Sequence, residues 1–276
     1  MDLVYIVKDG DYNPDLRYSL RSVEKFVPYD NIWIVGYKPS WVKNVKYLPV
    51  VQEPNDKWNN SNRNVIEACK CPDISDNFVL MNDDFFAIKP IKDLEESLNY
   101  SLGRLSKSII RHSDKTTKYF RAFGQLRVLL AELGIKPLEM KDYESHTPII
   151  LNKNRFLMMM ELDKVKSYIN SGKILHKRSV YKNLFPDIGV REYSEDVKIK
   201  YDSEVDRKCQ VCDWISVYDD QVDNIAYRKL NRLLQNLFPE KSYYENDNYI
   251  PPVIPEDNVI EKKRIIILPD GRRLSK

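Results

Sequence analysis

The tripeptide Asn82-Asp83-Asp84 directly follows the apolar run FVLM at 78–81, placing two carboxylates and an amide at the end of a buried segment. Hard oxygen ligands of this kind suit Mg²⁺ or Mn²⁺. An ion held by Asp83 and Asp84 can bridge the two phosphates of a nucleotide-sugar and offset the charge that develops on the departing phosphate. The same three residues also make an ordinary turn with a helix cap. Asp9 and Asp11, in the phrase VKDGD after the first apolar run, can bind a ribose hydroxyl, a base edge or the same metal, or can simply turn the chain. Arg17 and Arg21 lie one helical turn apart, and a guanidinium fork matches a phosphate in shape and charge; a solvated helix face has the same spacing. His146, in the polar phrase ESHTP, is a candidate general base for an acceptor hydroxyl, or else a structural imidazole. Arg178, within HKRS at 176–179, belongs to a cationic cluster that either grips phosphate or faces water.

These side chains need a scaffold that brings distant segments together. The run LVYIV at 3–7 predicts a buried strand opening into the Asp9 loop. Pro14 then starts an amphipathic helix with Leu16, Leu20 and Val23 on one face. IWIV at 32–35, closed by Gly36, predicts a second strand, 45–51 a third, 62–69 a helix after a polar Asn-rich stretch, and 78–81 a fourth strand. Strands alternating with helices predict an α/β fold with a parallel sheet, whose ligands bind beyond the carboxyl ends of the strands. The loops after Val7 and Met81 therefore carry the site. From about Ile91 the pattern changes to a helical subregion, with helices predicted over 116–133 and 227–238. The expected organisation is a catalytic domain over 1–248 with a helical insertion, then a C-terminal extension over 249–276, Pro-rich at first and basic at its end.

A chain of 276 residues with 42% hydrophobic content can bury a sizeable core. No run approaches the roughly 18–20 apolar residues of a membrane span, and the first residues have no cleavage site for secretion, so a cytoplasmic location is expected. The 44 basic and 41 acidic residues leave a net charge of +3, with no global field to recruit DNA or an anionic membrane. The cysteines form the pairs Cys69-x-Cys71 and Cys209-x-x-Cys212, more in keeping with thiols or metal ligands than with disulfides. A zinc-bearing nucleic-acid-binding module is the rival reading, prompted by these pairs and by the basic aromatic stretch Lys118-Tyr119-Phe120-Arg121. With half the chain between them, the pairs do not have zinc-ribbon spacing, and the near-neutral charge gives no basic-domain signature.

Several phrases, taken in order, resemble the Stealth-type family, which includes bacterial capsular polysaccharide phosphotransferases and the catalytic region of the lysosomal-enzyme N-acetylglucosamine-1-phosphotransferase. MDLVYIVKDGD resembles the first block. LRYSLRSVEKFVPYDNIWIVGYKPSWV and ISDNFVLMNDDFF resemble the second, SHTPIILNKNRF the third, and WISVYDD with NLFPEKSYYE the fourth. The first two blocks run together without the usual spacer, and Tyr218-Asp219-Asp220 replaces the fourth block's Asn-Asp, so the match is to a compact relative. The resemblance implies a GT-A-like nucleotide-sugar-binding sheet and transfer of a sugar or sugar 1-phosphate from a nucleoside diphosphate sugar to a hydroxyl of a polysaccharide or other acceptor. It strengthens Asp9, Arg17, Arg21, Asp83, Asp84 and His146 as site residues. A glycosyltransferase acting on a hydroxylated base in DNA, with the basic tail on phosphates, is the alternative acceptor reading.

Overall fold

The computed structural model describes residues 1–115, 117–193, 196–217 and 225–249, and the backbone of two strands at 265–267 and 273–275. Tyr218-Asp219-Asp220 and the remainder of the C-terminal extension lie outside the described residues. The first half runs β1 (Asp2–Val7), α1 (Pro14–Phe26), β2 (Ile32–Gly36), β3 (Lys46–Pro49), α2 (Lys57–Lys70), β4 (Asn77–Met81), β5 (Phe85–Ala87), α3 (Leu94–Leu98), β6 (Tyr100–Ser101), α4 (Leu105–Arg111) and α5 (Lys118–Glu132). The second runs β7 (Ile149–Asn152), α6 (Lys153–Glu161), α7 (Asp163–Asn170), α8 (Lys177–Leu184), β8 (Arg191–Glu192), β9 (Lys198–Ile199), α9 (Asp202–Val211), β10 (Trp214–Val217) and α10 (Ile225–Leu237), with β11 (Ile265–Ile267) and β12 (Arg273–Ser275) paired as a hairpin.

The main sheet has the order β3-β2-β1-β4-β7, parallel except for β7. Its inner strands β2, β1 and β4 are apolar on both faces because helices cover both. Val4, Val35, Phe78 and Leu80 point into one core with α2, α5 and α6, while Leu3, Tyr5, Ile34, Val79 and Met81 point into the other beneath α1. This alternation is the two-residue period of a strand. The predicted apolar face of α1 is buried, as is every residue from Leu16 to Val23, and its Ser19 and Ser22 let the helix approach β5: Ser19 Oγ donates to Phe85 O (2.5 Å) and Ala87 N donates to Ser22 Oγ (3.1 Å). A smaller sheet, β5-β10-β9, packs with α9 and α10 over a third core.

Two boundaries differ from the expectation. The Asn-rich stretch is the first half of α2 rather than its approach, because Asn60 and Asn64 bond outward to backbone groups at Glu53 and Val35 instead of competing with the helix. The third strand is shorter, ending at Pro49, and lies on the exposed edge of the sheet.

Arg21 also departs from its expected role. Its Nε and one Nη bond both oxygens of Glu245 (2.6 and 2.8 Å), and the other Nη donates to Phe238 O (2.9 Å). Both partners are buried. The guanidinium is spent on this clamp, which fixes α1 to a segment more than two hundred residues away, and is not offered to a phosphate at the strand ends. Ser242 N and Oγ also donate to Glu245, so the Phe-Pro-x-x-Ser ending of the fourth block is the receptor for Arg21. Truncating one partner of such a pair strands a buried charge; Arg21→Ala or Glu245→Ala is expected to lower unfolding free energy by about 3–5 kcal/mol. The double variant should lose less than the two single losses combined, read by urea denaturation. Native stability in both single variants would contradict the clamp.

Candidate active site at the carboxyl edge of the sheet

The carboxyl ends of β1, β2 and β4 lie side by side. Gly36 makes this close approach possible, since it has a φ of +105° and a Cβ there would fall 2.4 Å from Val7 O. The loop after β1 is held by the Pro39-Ser40-Trp41 phrase. The Asp11 carboxylate accepts from Ser40 N (2.8 Å), Tyr37 Oη (2.8 Å) and Ser40 Oγ (2.9 Å), bonds that lower its pKa, and Trp41 Nε1 donates to Asp11 O (2.9 Å). Asp11 is thus a latch for its loop rather than the ligand contact expected. Asp9, two residues earlier, is exposed at the strand end.

Asn13 joins this loop to the one after β4. It caps α1 by accepting from Leu16 N (3.0 Å) and donates through Nδ2 to Asp83 Oδ2 (2.7 Å). Asp84, next in the chain, is buried. Arg178, at the start of α8, sits 5.0 Å from the centre of the Phe85 ring, close enough for the Asp84 charge to act on it. Burial draws the Arg178 pKa down, and Glu144 and Asp84 favour its charged form. One Nη of Arg178 donates to Thr147 O, and the other is buried with no partner.

The loop carrying His146 wraps around this guanidinium. Burial works against ionisation of Glu144, but the His176 ring 3.8 Å away, the Arg178 charge and the Ser179 N–H outweigh it and hold the carboxyl at about 2. His146 takes a left-handed backbone, φ +57°, uncommon for a side chain of its size. Val197 N donates to Ser145 O (3.2 Å), bringing Asp196 and Lys198 to the imidazole. Burial, followed by repulsion from Lys198, pushes the His146 pKa down to about 3, well below the ordinary value expected from sequence. Burial opposes the Asp196 carboxylate too, yet His146, Lys200 and Lys208 hold its pKa low. Lys177, whose Nζ donates to Ser61 Oγ (2.7 Å), is lowered to about 8 by burial and by Arg178.

Of the predicted residues, Asp83, Asp84, Arg178 and His146 therefore converge, with Asp9 on the neighbouring strand end. Arg17 is buried on α1 with its Nε unpartnered, its guanidinium 4.6 Å from the Tyr18 ring centre. The partners that sequence reasoning missed are Asn13, Glu144, Asp196 and Lys198, while His176, read only as part of the 176–179 cationic cluster, faces Glu144. Only Asn13 had a signal, an N-cap residue ahead of Pro14.

Among the described residues, no group of three or more His, Cys, Asp or Glu side chains is arranged to hold a metal ion on its own. Mg²⁺ and its analogues are commonly held by one or two carboxylates plus substrate phosphates, so Asp83 and Asp84 fit that class. The cysteine pairs pack against different cores, Cys69 and Cys71 under the main sheet and Cys209 and Cys212 beside the smaller one, and cannot share one zinc ion.

The chain is 28% identical over 195 residues to the capsular polysaccharide phosphotransferase of Neisseria meningitidis serogroup B, covering 59% of this chain and 48% of that protein. It is 28% identical over 178 residues to the capsular polysaccharide phosphotransferase fcs1 of Haemophilus influenzae, covering 57% and 48%. These matches agree with the resemblance to the Stealth-type family read from the ordered sequence phrases. It spans about half the length of the curated relatives it matches. No family model matches. The crystal structure of the galactosyltransferase LgtC in complex with donor and acceptor sugar analogs superposes with a TM-score of 0.51 at 12% identity, covering 88% of this chain and 96% of that one. The fold is therefore GT-A. No described helix is long and apolar enough to cross a membrane.

The depressed His146 pKa has a measurable consequence. Its folded value, about 3, lies below the ordinary 6.5, so its contribution to stability is fully present above about 6.5 and is lost as pH falls toward 3. The melting temperature of the wild type should fall between pH 7 and 5, and that of His146→Asn, a residue that tolerates positive φ, should fall less. Parallel pH profiles would contradict the buried neutral imidazole.

Proposed function

We propose that this chain transfers a sugar 1-phosphate from a nucleoside diphosphate sugar to a hydroxyl of a glycan acceptor. The observation that carries the reading is the convergence of Asp83 and Asp84 with Arg178, whose buried Nη lacks a protein partner. Such an orphaned donor calls for an anionic ligand or an ordered water. The relatives' names favour phosphotransfer, and the GT-A fold suits a nucleotide-sugar.

In this reading Asp9 faces the nucleoside, and Arg178 and Arg17 bind phosphate oxygens. Bound at Asp83 and Asp84, Mg²⁺ or Mn²⁺ would neutralise charge on the diphosphate. His146 takes the proton of the acceptor hydroxyl, whose oxygen attacks the β-phosphorus. The bond to the bridging oxygen breaks, and a nucleoside monophosphate leaves with the electron pair. Burial and the neighbouring cations oppose a proton on His146 in the free protein. The negative charge of a bound donor, with Asp196 alongside, offsets that repulsion and couples base strength to donor binding. The catalytic unit of the proposal is 1–248, working on nucleotide-sugars in the cytoplasm, with 249–276 as an extension. Transfer of the sugar alone, releasing a nucleoside diphosphate, is the second reading, favoured by the fold shared with a galactosyltransferase.

A panel of nucleotide-sugars incubated with the protein and followed by ³¹P NMR separates the two. Nucleoside monophosphate is the expected product, and release of diphosphate alone would overturn phosphotransfer. Turnover should stop with a chelator, return with Mg²⁺ or Mn²⁺, and fall by roughly 10²-fold or more in Asp84→Asn; chelator-insensitive turnover would remove the metal from the account.

A further inference from the structure

Lys208, on α9, is only 1% exposed and takes no part in the site described above. A buried ammonium persists only where acceptors and opposite charge surround it. Its Nζ donates to Lys198 O (2.6 Å) and lies 3.3 Å from Glu204 Oε1 and 3.7 Å from Asp196 Oδ1. Both carboxylates are tied in turn to the chain between them. Glu204 Oε2 accepts from Lys200 N (2.6 Å) and Tyr201 N (3.0 Å), and Asp196 accepts from Lys198 N (3.1 Å) and Lys200 Nζ (2.7 Å). Lys208 is thus the centre of a network that holds the turn at 196–200 in one shape.

The His146 loop rests on that turn. Ser216 N, on β10, donates to Val197 O (3.4 Å) while Val197 N donates to Ser145 O (3.2 Å), which sets Asp196 and Lys198 beside His146. The charged groups that face the imidazole are Lys198 and Asp196 from the turn, Arg178 from α8 and Glu144 from its own loop. Glu144 is committed to His176, Arg178 and Ser179. Asp196 instead divides its charge between His146 and the lysines Lys200 and Lys208. A carboxylate fixed beside an imidazole orients the ring and favours the imidazolium, and cations bonded to the same carboxylate weaken that effect.

We propose that Asp196 is the positioning residue of His146, and that Lys200 and Lys208 set how much of its charge the imidazole receives. The inference rests on the reading of His146 as the acceptor's base. As the acceptor O–H bond breaks, its proton passes to a ring nitrogen of His146 and its oxygen bonds to the phosphorus. Asp196 stays ionised throughout and stabilises the imidazolium without taking the proton. In the free protein the two lysines draw on the same carboxylate, which leaves the ring neutral and ready to accept. A lysine buried on α9 therefore acts on the chemistry through the carboxylate it holds, without touching either substrate.

The test is the pH profile of kcat at saturating donor and acceptor, with donor KM and melting temperature read on the same preparations. Asp196→Asn should lower the plateau kcat by roughly 10²-fold or more and leave donor KM within about twofold of wild type. Its acid limb should move to lower pH, because a neutral amide no longer favours the imidazolium. Lys200→Met, at a side chain 33% exposed, should move the acid limb the other way, to higher pH, by about half a unit. In the Asp196→Asn background the same substitution should move nothing, since its effect passes through the carboxylate. A kcat that falls in Asp196→Asn only with the folded fraction, or a Lys200→Met limb that stays in place or moves equally in both backgrounds, would overturn the proposal. Wild-type turnover in His146→Asn would defeat the base reading itself, whereas turnover lost there but kept in Asp196→Asn would defeat the positioning role alone.

Discussion

A guanidinium removed from water must be matched by nearby negative charge and by hydrogen-bond acceptors. Arg178 draws that match from two sequence-distant places: Asp84 after β4, and the loop before β7, which supplies Glu144 and the carbonyl of Thr147. Remove it, and the two carboxylates lose the cation that faces them, while the His146 loop loses the donor it wraps around. The buried Arg178 thus sets both the electrostatics and the shape of the site. Its unpartnered Nη leaves the matching incomplete on the protein side.

Arg21 plays the complementary part for the scaffold. By closing α1 onto Glu245 and the carbonyl of Phe238, it holds the N-terminal helix against the segment that also brackets Trp41, through Lys43 N to Tyr244 O (2.9 Å) and Asn246 N to Trp41 O (2.8 Å). Trp41 in turn fixes the Asp11 loop. A line of packing and hydrogen bonds therefore runs from a buried ion pair far from the chemistry to the loop beside Asp9. Two arginines one helical turn apart look equivalent in sequence, yet one closes the fold while the other, Arg17, keeps an unpartnered Nε.

The first strands, the first helix and the position of the loops after Val7 and Met81 at the strand ends were legible in the sequence because they rest on local physics. Two-residue alternation, a proline-started amphipathic helix and apolar runs bounded by turn residues all act over a few positions. Asp83 and Asp84 were legible for the same reason, as polar residues terminating a buried strand. The roles of Asp11 and Arg21 were not, since a carboxylate that latches a loop and one that binds a ligand are the same residue type, and only the partners at Ser40 and Glu245 tell them apart. Nor could the His146 pKa be read from its neighbours in sequence, because Lys198 and Asp196 reach it through a backbone contact between Ser145 and Val197. Glu144 and His176 were hidden in the same way, as their pairing spans β7, α6 and α7.

The central claim is that Asp83 and Asp84 hold a divalent ion and, with Arg178, receive the diphosphate of a nucleotide donor. Crystals grown with Mn²⁺ and a nucleoside diphosphate, measured at a wavelength where manganese scatters anomalously, test it most directly. The account predicts an anomalous peak in contact with the Asp83 and Asp84 carboxylates, shared with diphosphate oxygens, and a phosphate oxygen within hydrogen-bond distance of the open Nη of Arg178. A nucleotide bound elsewhere, or bound at the strand ends with no manganese at these two carboxylates, would contradict it.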